Sequence, residues 1–488
     1  MQRSRREFLV LGGTGVAALG GLAALLGACA SSRSGSSFPV APGLAFRQPD
    51  VLTSVNGTLA VTLRAAPTMV PHGSGTRYAL TYNGTTPGPT LRVRPGDRLV
   101  VTLENGLDAE TNLHTHGLHV SPSGDADNIF ATVAPGASRT YTYDIPSTHR
   151  SGLFWYHPHA HGTVAPQVAG GLAGAIIVED AIDELPEMVA SVERVIVLSD
   201  PPIGSGPGTM SVSPMTQMQG RQGPVVLVNG MSQPIVPARA GSRERWRLVN
   251  ASAARYYRLA LDGHALHVLA TDGGRLVAPT EVSEILVAPG ERVEFAVLPS
   301  KAGNYSLRAL RYDRGRPGMG GGMGGAISTG ELTLATVTVA GSASEAVLPV
   351  RLAADDSASA AAPSATRTVT LGMGMGGGGG MGGGMGFTID GRSFDPARTD
   401  IELPLGHVEE WTLVNASTMD HPFHLHVWSF RVVGAPASVG WKDTVNVPAG
   451  GAVTIRIPFT EIPGRTVYHC HILDHEDLGM MGVIDVTS

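Results

Sequence analysis

One pattern occurs three times along this chain, and it restricts the fold more than any other feature. Its copies are "YNGTTPGPTLRVRPGDRLVVTLENGL" from Tyr82, "LVNGMSQPIVPARAGSRERWRLVNAS" from Leu227 and "TIDGRSFDPARTDIELPLGHVEEWTLVNAS" from Thr388. Each holds an Asn-Gly or Asp-Gly turn, an extended stretch, a Gly-centred turn, an alternating strand and a closing Asn. A second echo follows each copy: "APGASRTYTYDIP", "APGERVEFAVLP" and "PAGGAVTIRIPF". A turn followed by strict apolar/polar alternation is the signature of a half-buried strand. Repeats at this long spacing point to duplicated domains, not to a solenoid. Three tandem β-sandwiches are expected, at residues 43–180, 184–340 and 368–488. With 488 residues, 42% hydrophobic and 16% charged, the chain has length and core for them.

The N-terminus reads as an address. "SRREFLVLGGTGVAALGGLAALLGACA" carries Arg5-Arg6, then a Gly/Ala-rich apolar run, then small residues, and resembles a twin-arginine signal over residues 1–30. A Ser-rich tether at residues 31–42 follows. "LLGAC" also resembles a lipobox, which makes Cys29 a lipidated N-terminus; cleavage after Ala28 or Ala30 is the alternative. The expected location is periplasmic or at the cell surface, free or lipid-anchored. Cys29 and Cys470 are the only cysteines, so no disulfide framework exists and Cys470 is the one thiol of the folded part. A net charge of −6 gives no reason to expect a nucleic-acid partner.

The 17 histidines are clustered. "LHTHGLHV" holds His114, His116 and His119; "FWYHPHAHG" holds His157, His159 and His161. "DHPFHLHVW" holds His421, His424 and His426; "TVYHCHILDHEDLGMM" holds His469, His471 and His475. Four pairs have the form His-X-His, two in the first repeat and two in the third. Residues i and i+2 of a strand share a face, so His469 and His471 point one way and Cys470 the other. Imidazoles suit copper, zinc, iron and nickel; a thiolate with two imidazoles and a weak thioether selects a blue-copper site. Cys470, His475, Met480 and one further histidine fit that set, and the paired imidazoles would hold further metal. The second repeat is an internal control. "LDGHALHVLATDGG" keeps His264 and His267 without a His-X-His pair, and "AGNYSLRALRYDRG" has neither His nor Cys. The metal chemistry therefore belongs to the first and third repeats.

"HTHG", "HPHAHG", "HPFHLH" and "HCHILDHEDLGMM" resemble the four copper-binding motifs of three-domain multicopper oxidases, bacterial laccases and cuprous oxidases above all. The resemblance implies three cupredoxin-like Greek-key domains and four copper ions. It assigns the type 1 copper to His421, Cys470, His475 and axial Met480, and the type 2 copper to His114 and His424. The type 3 pair falls to His116, His157, His159, His426, His469 and His471, with the trinuclear cluster between domains one and three. His119 and His161 fall outside this pattern. The implied reaction passes single electrons from type 1 copper through Cys470 to His469 and His471, and four of them reduce dioxygen to two waters. Family members place acids beside the cluster; Glu476 matches one such position, and "SGDADNIF" offers Asp127, ahead of Asp125, for another.

Two tracts point to the donor. "GMGGGMGG" (Gly318–Gly325) and "GMGMGGGGGMGGGMG" (Gly372–Gly386) space Met319, Met323, Met373, Met375, Met381 and Met385 with glycine. Thioethers are soft ligands that select Cu(I), and Met-rich segments deliver Cu(I) in cuprous oxidases; a flexible linker is the bland alternative. The expected partners are dioxygen, phenolic or aromatic-amine donors, Cu(I) and Fe(II). A monomer and a role in copper tolerance are expected. An electron-transfer cupredoxin needs only the type 1 set, and a copper nitrite reductase lacks the type 3 pairs. A copper-binding resistance protein would bind copper without consuming dioxygen. Zinc sites rarely need a Cys between two His.

Overall fold

The three Asn-Gly or Asp-Gly turns organise the fold. Asn83-Gly84, Asn229-Gly230 and Asp390-Gly391 all take positive φ at both residues, the tight-turn geometry that suits short polar residues and glycine. The computed structural model describes residues 43–179, 185–316, 330–353, 362–375, 385–436 and 439–488. The signal and tether segments, Met319, Met323 and Met381 lie outside these residues.

Six sheets pair into three sandwiches. Each repeat carries the same parallel pair, whose strands only a crossover connection can join. Thr58–His72 runs beside Arg98–Asn105, Val192–Ser199 beside Glu244–Asn250, and Ala365–Met375 beside Val408–Asn415. Each sandwich buries its own apolar cluster, around Leu63, Leu99 and Ile176 in the first, Trp246, Phe295 and Val337 in the second, and Trp411, Phe423 and Ile484 in the third. A further cluster joins Trp155 and Val168 of the first sandwich to Val195 and Val249 of the second and Leu473 of the third.

The closing Asn of the repeat does the same job three times. Its side-chain amide donates to two backbone carbonyls, at 2.8 to 3.0 Å: Ala109 and Val133 for Asn105, Arg255 and Val287 for Asn250, Met419 and Val447 for Asn415. Its carbonyl accepts from the backbone N–H two residues on, in Leu107, Ser252 and Ser417. A buried amide satisfied on every side fixes the loop that follows the strand.

One expectation needs correction. "ERVEFAVL" reads as half-buried, yet the strand Arg292–Val297 is buried at every position. Its polar positions face other parts of the chain instead of water: Arg292 pairs with Asp443, and Glu294 with Arg245 and Arg247. The alternation is real, but both faces are covered.

Candidate metal centre

The third sandwich aims its ligands by strand alternation. In the strand Gly464–Cys470, His469 pairs with His424 and Cys470 with Phe423 of the strand His421–Leu425. Cys470 thereby turns into the third core, in a cluster with Phe423 and Met480. In the first sandwich His114–His116 pairs with Gly152–His157, setting His114 opposite His157.

Cys470 faces two imidazoles. Its Sγ lies 3.3 Å from His421 Nδ1 and 3.8 Å from His475 Nδ1, and those two nitrogens are 3.3 Å apart. The far nitrogens are anchored: His475 Nε2–H donates to the Met218 carbonyl at 3.1 Å, and His421 Nε2 shares a 2.8 Å hydrogen bond with Ser417 Oγ. Burial holds His421 down to about 3, and burial pushes the Cys470 thiol up. The rings are thus neutral, as metal ligation requires, and a buried thiol between their lone pairs is best satisfied as a metal thiolate. Met480 is tied to both partners through its backbone: its carbonyl accepts from Cys470 N–H and its N–H donates to the His475 carbonyl. Phe387 stacks on His475, with 3.9 Å between centroids and 17° between planes.

The other eight imidazoles meet between the first and third sandwiches. Three groups have ligand atoms within 4.8 Å of one another: His114, His116 and His424; His116, His157 and His471; His159, His426 and His469. All are buried. His159 Nε2 and His426 Nε2 lie 3.2 and 3.1 Å from His469 Nε2. His469 Nδ1–H donates to the Cys470 carbonyl, which leaves Nε2 a lone pair. His114 Nε2, His116 Nδ1, His157 Nε2, His424 Nε2 and both nitrogens of His471 have no hydrogen-bond partner within the protein. Buried polar atoms are rarely left this way. Burial first, then neighbouring imidazoles, lowers the pKa of His114, His426 and His471. Buried imidazoles with converging unpaired nitrogens fit copper ions in the cluster, as the thiol between two imidazoles does in the Cys470 pocket.

The acids separate cleanly. Asp127 is buried against the cluster: Oδ2 lies 2.8 Å from His114 Nδ1, while Oδ1 accepts from Thr115 N–H at 2.8 Å and Thr115 Oγ1 at 3.1 Å. Burial raises its carboxyl to about 7, against the two bonds from Thr115. Asp125 does not reach the cluster. It is a surface residue paired with Arg139 at 2.8 Å, too far out to pass protons to the cluster as the sequence suggested. Glu476 is wholly buried, with Oε2 3.2 Å from His469 Nδ1 and Oε1 3.5 Å from His159 Nε2. Neither carboxylate oxygen has a hydrogen-bond partner within the protein. Burial opposes its ionisation, but His159 and His469 outweigh burial and hold the carboxyl down to about 2. His119 Nδ1–H donates to the Val427 carbonyl, and His161 packs against Phe394.

The short helix Leu473–Asp477 ties the domains together around His475. Asp474 grips Arg221 of the second sandwich through its backbone N–H at 2.7 Å and its guanidinium at 2.8 Å. Asp477 accepts the backbone N–H groups of Gly162, Val164 and Ala165 of the first, at 2.8, 3.2 and 2.8 Å. It caps the helix Val164–Gly170, whose own N-cap Thr163 makes no such bond. Asp477→Ala is expected to cost about 0.5 to 2 kcal/mol, the range for losing a helix cap. A denaturant melt measures it, and an unchanged midpoint contradicts the clamp.

Sequence reasoning missed Asp443, Arg292, Asp474 and Asp477. Carboxylates and a guanidinium inside ordinary strands and turns carry no local mark of what they meet. One signal was present: Arg292 stands in the second echo where the others carry Ser138 and Ala452.

Three β-sandwiches carrying a thiolate-imidazole pocket beside an imidazole cluster define a class, the oxidoreductases that work through bound copper. Multicopper oxidase family models match residues 65–182, 203–328 and 369–488. The chain belongs to the multicopper oxidase family. It is 30% identical to multicopper oxidase mco of Staphylococcus haemolyticus over 84% of this chain and 84% of that protein. It is 27% identical to a laccase of Bacillus subtilis over 83% of this chain and 90% of the laccase. A multicopper oxidase of Campylobacter jejuni, described as a metallo-oxidase, superposes with a TM-score of 0.78 at 29% identity, covering 92% of this chain and 96% of that one. The cupredoxin-like all-β architecture is thus shared. A cell division protein, FtsP of Proteus mirabilis, is also 30% identical over 100% of this chain and 99% of its own length. Likeness of the whole chain therefore does not carry the activity, and the side chains of the site must.

Proposed function

We propose that this chain is a laccase-like oxidase that couples four one-electron oxidations to the reduction of dioxygen to two waters, with a role in copper tolerance. One observation carries the reading: Cys470 faces the His421–His475 pocket while His469 and His471, one residue either side, reach the eight-imidazole cluster. Type 1 copper would be held by His421, Cys470, His475 and Met480. Type 2 copper would be held by His114 and His424, and the type 3 pair by His116, His157 and His471 with His159, His426 and His469. Copper bound at these places supplies one-electron redox chemistry and the reduction of dioxygen. The chain supplies buried imidazoles, Glu476 to move protons at its unpaired oxygens, and Asp127 to hold His114.

For the donor we propose Cu(I), alongside phenols or aromatic amines, with Fe(II) as a third. The glycine-methionine tract Gly372–Gly386 leaves from a strand pair in which Met373 lies opposite Phe387, the ring stacked on His475. The soft thioether of Met373, packed against the core that holds Cys470, favours Cu(I). Replacing Met373, Met375, Met381 and Met385 together by Ser is expected to lower Cu(I) turnover several-fold and leave phenol turnover in place. Equal Cu(I) turnover makes the tract a linker. Steady-state kinetics with Cu(I), Fe(II) and a phenol on one copper-loaded preparation ranks the donors, and failure to consume dioxygen with any of them overturns the oxidase reading. Export by the twin-arginine route, with Cys29 lipidated or with ordinary cleavage after Ala28 or Ala30, belongs to the same proposal.

A further inference from the structure

The second sandwich supplies none of the imidazoles, yet it reaches the cluster from behind. Asp443 is where it arrives. The Asp443 carboxylate takes His116 Nε2–H on Oδ1 at 3.2 Å, and its backbone carbonyl takes His424 Nδ1–H at 2.9 Å. One residue therefore grips two rings from different sandwiches, which lie stacked with centroids 3.7 Å apart. In both rings the opposite nitrogen, His116 Nδ1 and His424 Nε2, is the one left without a partner. Thr444 Oγ1 completes the cradle, 3.2 Å from each of the bonded ring nitrogens and 3.0 Å from Asp443 Oδ1.

Arg292 of the second sandwich locks that carboxylate. Its guanidinium donates to both oxygens, at 2.7 and 2.5 Å, and to the carbonyls of Leu153 and Asp272. A planar two-pronged pair fixes a carboxylate's rotation as a point charge does not. Lys442, next in sequence to Asp443, is itself held by Asp272 and Glu291. The buried network so formed has two cations against three carboxylates. Gly117, next to His116, shows how close the approach is. A Cβ there would sit 2.3 Å from Arg292 Nη2 and 2.6 Å from Asp443 Oδ2, at a φ of +87°. Gly290 brings the same segment flat against His471, where a Cβ would sit 2.8 Å from the ring.

We propose that Asp443, clamped by Arg292, is a positioning residue that sets which ring nitrogen His116 and His424 present to the cluster. The copper-free sandwich is then a working part of the site. Carboxylates behind metal-bound imidazoles fix tautomer and raise ligand basicity. The inference rests on the copper reading above for its consequence, but its structural content exists without metal.

The test uses Asp443→Asn and Arg292→Lys in the full chain. In the metal-free protein, 15N NMR of labelled histidine is expected to show His116 protonated on Nε2 and His424 on Nδ1. Asp443→Asn should disturb the His116 tautomer, because one face of the amide donates where the carboxylate only accepted. Arg292→Lys keeps the charge, loses the fork and should do the same more weakly. After copper loading, both variants should alter the EPR spectrum of the imidazole cluster and weaken its copper retention by about 10- to 100-fold. The blue absorption of the Cys470 pocket should stay. Wild-type tautomers and EPR spectrum in both variants overturn the proposal, as does parallel loss of both copper sites with an unchanged His116 tautomer. If Asp443→Asn does not fold, Arg292→Lys alone decides on the same readouts. If the wild-type cluster takes no copper, the copper reading fails, and the tautomers still decide the positioning role.

Discussion

Cys470→Ser is expected to take dioxygen consumption to background, abolish the blue absorption and remove about one copper per chain, because thiolate ligation defines that site. The eight imidazoles should keep their metal. The reasoning is geometric. Cys470 is wholly buried in the third core, with His421 and His475 as its polar neighbours on one side. Serine is close to isosteric, so packing changes little, but its oxygen is a hard donor and stays protonated there. The strand carries His469 and His471 on the opposite face, so the two residues bonded to Cys470 link pocket and cluster by the shortest stretch of backbone. Loss of turnover with retained EPR of the imidazole cluster is the expected pair of results. Turnover near wild type would mean that electrons enter elsewhere.

Glu476→Gln carries the second large effect. The expected result is a slowing of dioxygen reduction by about 10² to 10⁴, the range for a positioned proton-transfer group. The blue absorption and copper content should be intact. Glu476 sits between His469 and His159, which hold it as the carboxylate, and its two oxygens have no hydrogen-bond partner inside the protein, so it can relay protons only by accepting them transiently beside the cluster. Gln keeps the shape and loses the titration. Rapid mixing of the fully reduced protein with dioxygen isolates this step from donor oxidation. An unchanged rate in the variant removes Glu476 from proton delivery.

Much of this was readable in the letters. Turn chemistry and period-2 alternation gave the sandwiches, and the repeat closed on Asn105, Asn250 and Asn415 because each buries an amide that pins a loop. The ligands were visible because His-X-His on a strand puts two imidazoles on one face whatever surrounds it. What failed shares one cause. Arg292 and Glu294 alternate with apolar residues, and alternation alone does not distinguish water from buried partners, Asp443 of the third sandwich for the first and Arg245 and Arg247 of the neighbouring strand for the second. Asp125 and Asp127 look alike in "GDADN", and only the folded loop turns one inward and the other toward Arg139. Asp474 and Asp477 flank His475 in sequence but act on the second and first sandwiches, contacts of 253 and 312 residues' separation.

The most direct measurement is anomalous X-ray scattering at the copper edge from crystals of the copper-loaded protein. Four peaks are expected: one enclosed by His421, Cys470 and His475, and three among the eight imidazoles between the first and third sandwiches. A peak at the Cys470 pocket alone, or peaks in the imidazole cluster that appear at the zinc edge and not at that of copper, would contradict the assignment.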